Sequence, residues 1–271
     1  MTVFVFGAGK VGAALARGLR AAGAKVRLQP ARRGLPRAVD ADLVVLAVRD
    51  RELETLVSRL RPLLGRRSAV VHVAGALDAA ILAPLREVCA GVGQMHPMLS
   101  FASAKRAPDL ARGNMHVQGD PIAVARARRV ARMLGMSART IRNLDTVAYH
   151  AAAGLVANGA AALAAVGARL LVAAGVPEKT APAMLGPLLR SVADNVETLG
   201  FPEALTGPVR RGDEKGVRKH LSVLAAKLPA AVPLYVAASR AQLPLARAIG
   251  EAPPGSLDAV EVALDAAQRD P

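Results

Sequence analysis

His150, Gly154 and Asn158 recur at intervals of four in an Ala-rich stretch, the spacing that places them on one broad helix face. Ala153, Ala157 and Ala161 share that face and leave room above it for a ligand. A histidine there is suited to protonate an oxygen while hydride reaches the adjacent carbon, because imidazole titrates near neutral pH. Asn158 is suited to orient a carbonyl through its amide. The competing reading makes both of them satisfied polar residues joining helices. A second constellation is Leu205-Thr206-Gly207-Pro208 with Arg211-Gly212-Asp213. A Gly-Pro turn before a helix start directs N–H groups and guanidinium groups to one place, and Thr206 and Arg211 are candidates for binding a carboxylate. Asp213 also reads as the N-cap of the following helix, and the two roles are compatible. A third candidate pair is His96 and Ser100. The His96-Pro97 step is expected to end a strand, since proline disfavours a helical conformation at the residue before it. A purely loop-shaping role for the pair stands beside the site-lining one. His72 reads as a hydrogen-bonded core histidine.

A hydride needs a carrier, and the N-terminus provides for one. Gly7-Ala8-Gly9-Lys10-Val11-Gly12 follows the strand-like run Val3-Phe4-Val5-Phe6 and opens an Ala/Leu-rich helical pattern reaching Ala22. Strand, glycine turn and helix in that order are the context in which GxGxxG signifies dinucleotide binding. The first glycine permits the turn, the second admits a pyrophosphate, and the third allows helix and strand to pack closely. NAD enzymes carry an Asp or Glu about 20 residues further on, for the adenosine ribose. Here no acid occurs before Asp40, and the loop runs Gln29-Pro30-Ala31-Arg32-Arg33. Guanidinium groups at Arg32 and Arg33 favour a 2′-phosphate, hence NADP(H) over NAD; ordinary loop arginines are the alternative. Ala47 and Val48, at the end of the apolar run from Leu43, and Gly75, after the run from Ala69, fall where the sheet edge would meet the cofactor.

These residues must be positioned by two kinds of structure. Strand-like and helical patterns alternate up to Ile141, which predicts an α/β, doubly wound parallel sheet. Beyond Asn143 the pattern is helical, interrupted at Gly-Pro breaks, and gives residues 1–143 as a Rossmann-like NADP-binding domain and 144–271 as an all-helical substrate and dimerisation domain. The segment Asp145 to Ala174 predicts one long, small-residue helix. Its uncharged part, Ala151 to Ala168, is read as a buried helix rather than a membrane span, because Ala drives insertion weakly. The tail from Glu251 is expected to be peripheral.

The bulk composition narrows the function classes. The 271-residue chain carries a net charge of +15, but its arginines are scattered and only 2% of residues are aromatic, so no stacking patch for nucleic acid is expected. A single cysteine, Cys89, excludes an internal disulfide and a multi-Cys metal site, so no metal is expected. No basic segment followed by an apolar one opens the chain, and a cytoplasmic location without membrane attachment is the expectation.

The glycine turn, His96-Pro97 with Ser100-Phe101, Tyr149-His150-Ala151-Ala152 leading to Asn158, and Leu205-Thr206-Gly207-Pro208 with Arg211-Gly212-Asp213 occur in this order. Together they resemble Rossmann-like proteins carrying the C-terminal domain of unknown function 2520. The resemblance covers all but about the last twenty residues. It implies an architecture similar to 6-phosphogluconate dehydrogenase, pyrroline-5-carboxylate reductase and ketopantoate reductase, an NADP-linked activity, and a homodimer through the helical domain. Some members are associated with ketopantoate reduction. Related hydroxyacid dehydrogenases place a catalytic Lys four residues before the central Asn, where this chain has Gly154. Either His150 replaces it, or Lys215 or Lys219 does. The expectation is an NADPH-dependent reductase of a small 2-oxo acid, ketopantoate first. The alternatives are an imine reductase of the pyrroline-5-carboxylate type and a non-catalytic NADP-sensing protein.

Overall fold

The computed structural model describes residues 1–269, which divide into two compact units, one ending at Ala157 and one beginning at Asn158. The first unit is built on β1 (Thr2–Phe6), α1 (Lys10–Ala21), β2 (Lys25–Gln29), β3 (Leu43–Leu46), α2 (Leu53–Leu60), β4 (Ala69–His72), β5 (Gly91–Met98), β6 (Asn114–Gly119), α3 (Pro121–Met133) and β7 (Ser137–Arg139). The strands form one sheet in the order β2-β1-β3-β4-β5-β6-β7, parallel throughout except for the β5–β6 pair.

Strand alternation divides the core between two faces. Val3, Val5, Leu43 and Val45 pack with Leu15 and Leu19 of α1 and Val130 of α3. Phe4, Phe6, Val44 and Leu46 pack on the other face with Leu56 and Leu60 of α2. Every residue of β3 and β4 is buried, which accounts for their continuous apolar runs.

Two local expectations are corrected here. The His96-Pro97 step does not end its strand: β5 continues to Met98, pairing Pro97 with Met115 of β6. β4 pairs only as far as Gln94, so one side of Pro97 is free of a parallel neighbour, and proline is tolerated at such an edge. The segment after Gly250 is not peripheral: Ser256–Arg269 forms helix α8 and buries Val260, Ala263 and Leu264.

Helix α4 (Thr146–Ala173) follows β7 and is capped by Asp145, whose carboxylate accepts the Val147 and Ala148 N–H groups. The unit division falls within α4, so its opening turns pack with the sheet unit. The expected burial of Ala151 to Ala168 is overturned, because α4 has no buried residue. By length and composition it could cross a membrane, with an 18-residue window of mean hydropathy 1.8. The second unit adds α5 (Ala181–Leu199), α6 (Glu214–Lys227), α7 (Val232–Ile249) and α8. Its core joins Val217, Leu221 and Leu224 of α6, Val236 and Leu243 of α7, and Val260 and Leu264 of α8.

Because Leu264 is fully buried, Leu264→Ala is expected to cost about 2–5 kcal/mol in denaturant unfolding. A peripheral tail would give a change under about 0.5 kcal/mol.

Candidate functional site

The glycines at the end of β1 have three separate physical roles. Gly7 adopts a φ of +107°, and a Cβ there would lie 2.2 Å from the Ala47 carbonyl oxygen. A Cβ on Gly12 would lie 2.0 Å from the Gly7 carbonyl oxygen and 3.0 Å from the Ala47 Cβ. Gly9 has open space within 4 Å of the position its Cβ would take. Gly7 and Gly12 thus let β1, α1 and β3 converge, while Gly9 leaves a vacancy at the start of α1. No side chain caps α1 and no acidic residue lies in its first turn, so its N–H groups and dipole face that vacancy unneutralised. Lys10 is exposed at the helix start, and Val11 packs toward the core.

A cavity of about 470 Å³ lies over this turn, bounded by Gly7, Ala8, Gly9, Arg32, Ala47 and Val48. An adjoining cavity of about 550 Å³ shares Ala31, Arg32, Val48 and Glu52 and adds Arg51, Thr55 and Arg59. Arg33 lines neither cavity, whereas Arg51 and Arg59 do. The donors and the open space at Gly9 fit a pyrophosphate, and three guanidinium groups fit a further phosphate. Among the described residues no cluster of His, Cys, Asp or Glu suits a metal ion.

Further along the same edge, four of the five histidines of the chain gather around β4 and β5. His96 stands on β5 beyond the end of its pairing with β4. Its Nδ1 lies 3.0 Å from the Tyr149 hydroxyl, and the two rings meet edge to face at 5.4 Å. The ring of His150, one residue further along α4, lies 6.0 Å from that of His96. Gly75 makes this convergence possible: a Cβ there would lie 2.4 Å from Nδ1 of His150 and 2.8 Å from Nε2 of His96. One nitrogen of each imidazole therefore converges on the place that a side chain at Gly75 would take.

Beneath them, Gln94 donates to the Ala74 carbonyl at 2.7 Å and accepts from Gln118 Nε2 at 2.7 Å, fixing the turn after β4. His72 is fully buried with Nε2 2.9 Å from the Asp78 carbonyl, a bond in which the ring must donate; it is the core histidine expected. Burial, followed by the nearby His150, His116 and His72, pushes His96 down to about 4. It is neutral at physiological pH. Burial also lowers His116, and it raises the Tyr149 phenol, so that group keeps its proton.

The remaining candidates are all exposed side chains. Ser100 is exposed on the loop after β5. Asn158, Thr206 and Arg211 are exposed residues of the second unit, as are Lys215 and Lys219 on α6. Beside Thr206, Arg210 is committed to structure, bonding Glu251 and the carbonyls of Glu203 and Leu205. Asp213 caps α6 by accepting from Gly216 N–H. Sequence reasoning missed the tie between Tyr149 and His96, and it missed Gln94, Arg51 and Arg59. A polar Gln94 inside an apolar strand was the available signal; the other three gave none.

Residues 30–97 match a Rossmann-like domain, and residues 114–242 match the Domain of unknown function (DUF2520). The chain is thus a Rossmann-like protein that carries the DUF2520 domain. BF3122 of Bacteroides fragilis, assigned as an NADP oxidoreductase, is similar at a TM-score of 0.70 and 22% identity, over 90% of this chain and 98% of its own. Protein TM1727 of Thermotoga maritima is similar at a TM-score of 0.67 and 22% identity, over 92% and 99%. Pyrroline carboxylate reductase of Plasmodium falciparum, solved with NADP bound, is similar at 0.60 and 14% identity, over 99% and 97%. At these identities the likeness establishes the fold. No curated protein matches the sequence.

NMR titration should place His96 near pH 4, against the ordinary 6.5. The unfolded chain binds the proton first, so the stability tied to neutral His96 is complete above about pH 6.5 and is lost as pH falls toward 4. A midpoint near 6.5 would contradict the buried, histidine-ringed setting.

Proposed function

We propose that this protein is an NADP-linked oxidoreductase that reduces a small 2-oxo acid, with ketopantoate the first candidate. The observation that carries the reading is the vacancy at Gly9, over an uncapped helix start and beside an arginine-lined cavity. The NADP oxidoreductase assignment of BF3122 and the NADP bound by the Plasmodium enzyme support it. The backbone at Gly7 to Gly12 would hold the pyrophosphate, and Arg32, with Arg51 and Arg59, the 2′-phosphate. When bound, the dihydronicotinamide supplies the hydride.

The chain supplies proton and orientation. His150 is exposed, so it recharges from water, and its Nδ1 faces the space over Gly75. It would deliver the proton to the substrate oxygen. Asn158 is assigned to the carbonyl, Thr206 and Arg211 to the carboxylate, and His96 and Ser100 to further substrate contacts. A second reading, imine reduction, draws on the fold shared with an imine reductase from Pseudomonas. An iminium arrives already protonated, which suits Gly154 where related enzymes have Lys. A third reading, an NADP-sensing protein without turnover, would bind NADPH tightly and leave it unoxidised whatever carbonyl or imine is offered.

The partner proposed is a second copy of this chain. α4 exposes Leu155, Val156 and Leu163, and α5 exposes Met184, Leu188, Val192 and Leu199. Arg190, Asp194 and Glu197 lie on the opposite stripe of α5, an amphipathic pattern that suits a protein partner better than lipid.

NADPH oxidation with a panel of 2-oxo acids and cyclic imines tests the reaction. The oxo acids should be reduced, and His150→Ala should slow turnover by about 10²-fold or more with cofactor affinity retained. An unchanged rate would remove His150 from the chemistry. Arg32→Ala should weaken NADPH by about tenfold while sparing NADH, the worth of one charged hydrogen bond; equal losses would contradict the phosphate role. Light scattering should show a dimer that Leu188→Asp converts to a monomer, and a monomeric parent would remove the proposed interface.

A further inference from the structure

Two imidazole nitrogens facing one space raise the question of which of them carries a proton. His150 Nδ1 and His96 Nε2 converge over Gly75, but their settings differ. His150 is exposed, whereas His96 is largely withdrawn from water and tied through Nδ1 to the Tyr149 hydroxyl. A neutral imidazole has one N–H, and the bond made by the other nitrogen selects its position.

We propose that Tyr149 is a positioning residue that donates its hydroxyl proton to Nδ1 of His96, holding the His96 proton on Nε2 and aiming that N–H into the space over Gly75. The phenol keeps its proton in this partly buried position, and among the described residues His96 Nδ1 is its hydrogen-bond partner. The reverse arrangement, with Nδ1 donating to the phenol oxygen, would leave the O–H without an acceptor. Burial lowers His72 and His116, packed near this pair, as it lowers His96.

The consequence rests on the reductase reading and divides its chemistry between the two histidines. A carbonyl oxygen has two lone pairs, and one seated between the two rings would accept from His96 Nε2–H and from His150 Nδ1–H when that ring carries the proton to be transferred. As hydride from a dihydronicotinamide forms the new C–H bond, the carbonyl π pair moves to oxygen. The His150 N–H bond breaks and an O–H bond forms, leaving alcohol, oxidised nicotinamide and neutral His150. His96 donates a hydrogen bond throughout and keeps its proton, because its loss would create an imidazolate. Two such donors suit a ketone better than an iminium, which has no lone pair to accept them.

The tautomer can be read without substrate or cofactor. Long-range ¹H–¹⁵N spectra of the wild-type protein at neutral pH should show His96 protonated on Nε2 and bare at Nδ1, and Tyr149→Phe should shift population to the Nδ1–H form. Nδ1 protonation in the wild type, or the same tautomer mixture in both proteins, would overturn the proposal. Given a substrate, Tyr149→Phe should lower kcat by about tenfold, the equivalent of one hydrogen bond, with the Kd for NADPH unchanged. His96→Gln, which retains an N–H donor, should keep more activity than His96→Ala. If no oxo acid is turned over, the reductase reading fails while the tautomer result stands; an unaltered kcat in Tyr149→Phe removes the residue from the reaction even if the tautomer is as stated.

Discussion

The close approach of three backbones at Gly7, Gly12 and Ala47 is the constraint on which the sheet unit depends. A side chain on either glycine would stand about 2 Å from a carbonyl oxygen, well inside contact distance. Their absence lets α1 begin directly over the ends of β1 and β3, with its N–H groups turned toward the cavity rather than toward protein. Leu15 and Leu19 then reach the same core face as Val3, Val5 and Val45. The turn that admits an anion is therefore also the turn that docks the first helix.

Gly75 repeats the device at β4. There the missing side chain admits imidazole nitrogens rather than a helix, and the buried Gln94 holds the turn in place through the Ala74 carbonyl. The cavities at the β1–β3 end and the histidines at the β4–β5 end share one edge of one sheet. Ligands of open α/β sheets bind at that edge because successive loops leave it on opposite faces. Within the histidine group, burial lowers the proton affinity of His72, His96 and His116, whereas His150 is exposed.

The sheet unit was legible because its signals are local. The glycine spacing, the buried runs of β3 and β4, and the break in pattern before α4 each follow from adjacent residues. Pro97 misled because a proline usually terminates pairing, and the sequence does not reveal that β4 stops short at Gln94. α4 misled in another way. Its apolar composition was read as burial, but the chain covers it only in part, through Val166 and Leu170, and apolar character does not specify which surface supplies the rest. The link between Tyr149 and His96 spans 53 positions and joins a helix to an antiparallel strand end, so no motif announces it. Arg51 and Arg59 enter the cavity wall only because the segment after β3 folds back beside Arg32.

The central claim is that the vacancy at Gly9 is a phosphate cradle rather than a bare glycine turn, and Gly9→Ala tests it with little disturbance to the fold. Gly9 has a φ of −69°, which alanine adopts freely, and beyond the adjoining chain nothing lies within 4 Å of where the new methyl group would sit. Calorimetric titration of wild type and variant with NADPH, alongside their thermal midpoints, is the measurement. The account predicts binding by the wild type, its loss or severe weakening in Gly9→Ala, and matching midpoints without ligand. Equal NADPH affinity in the two proteins, or no binding by the wild type, would contradict it.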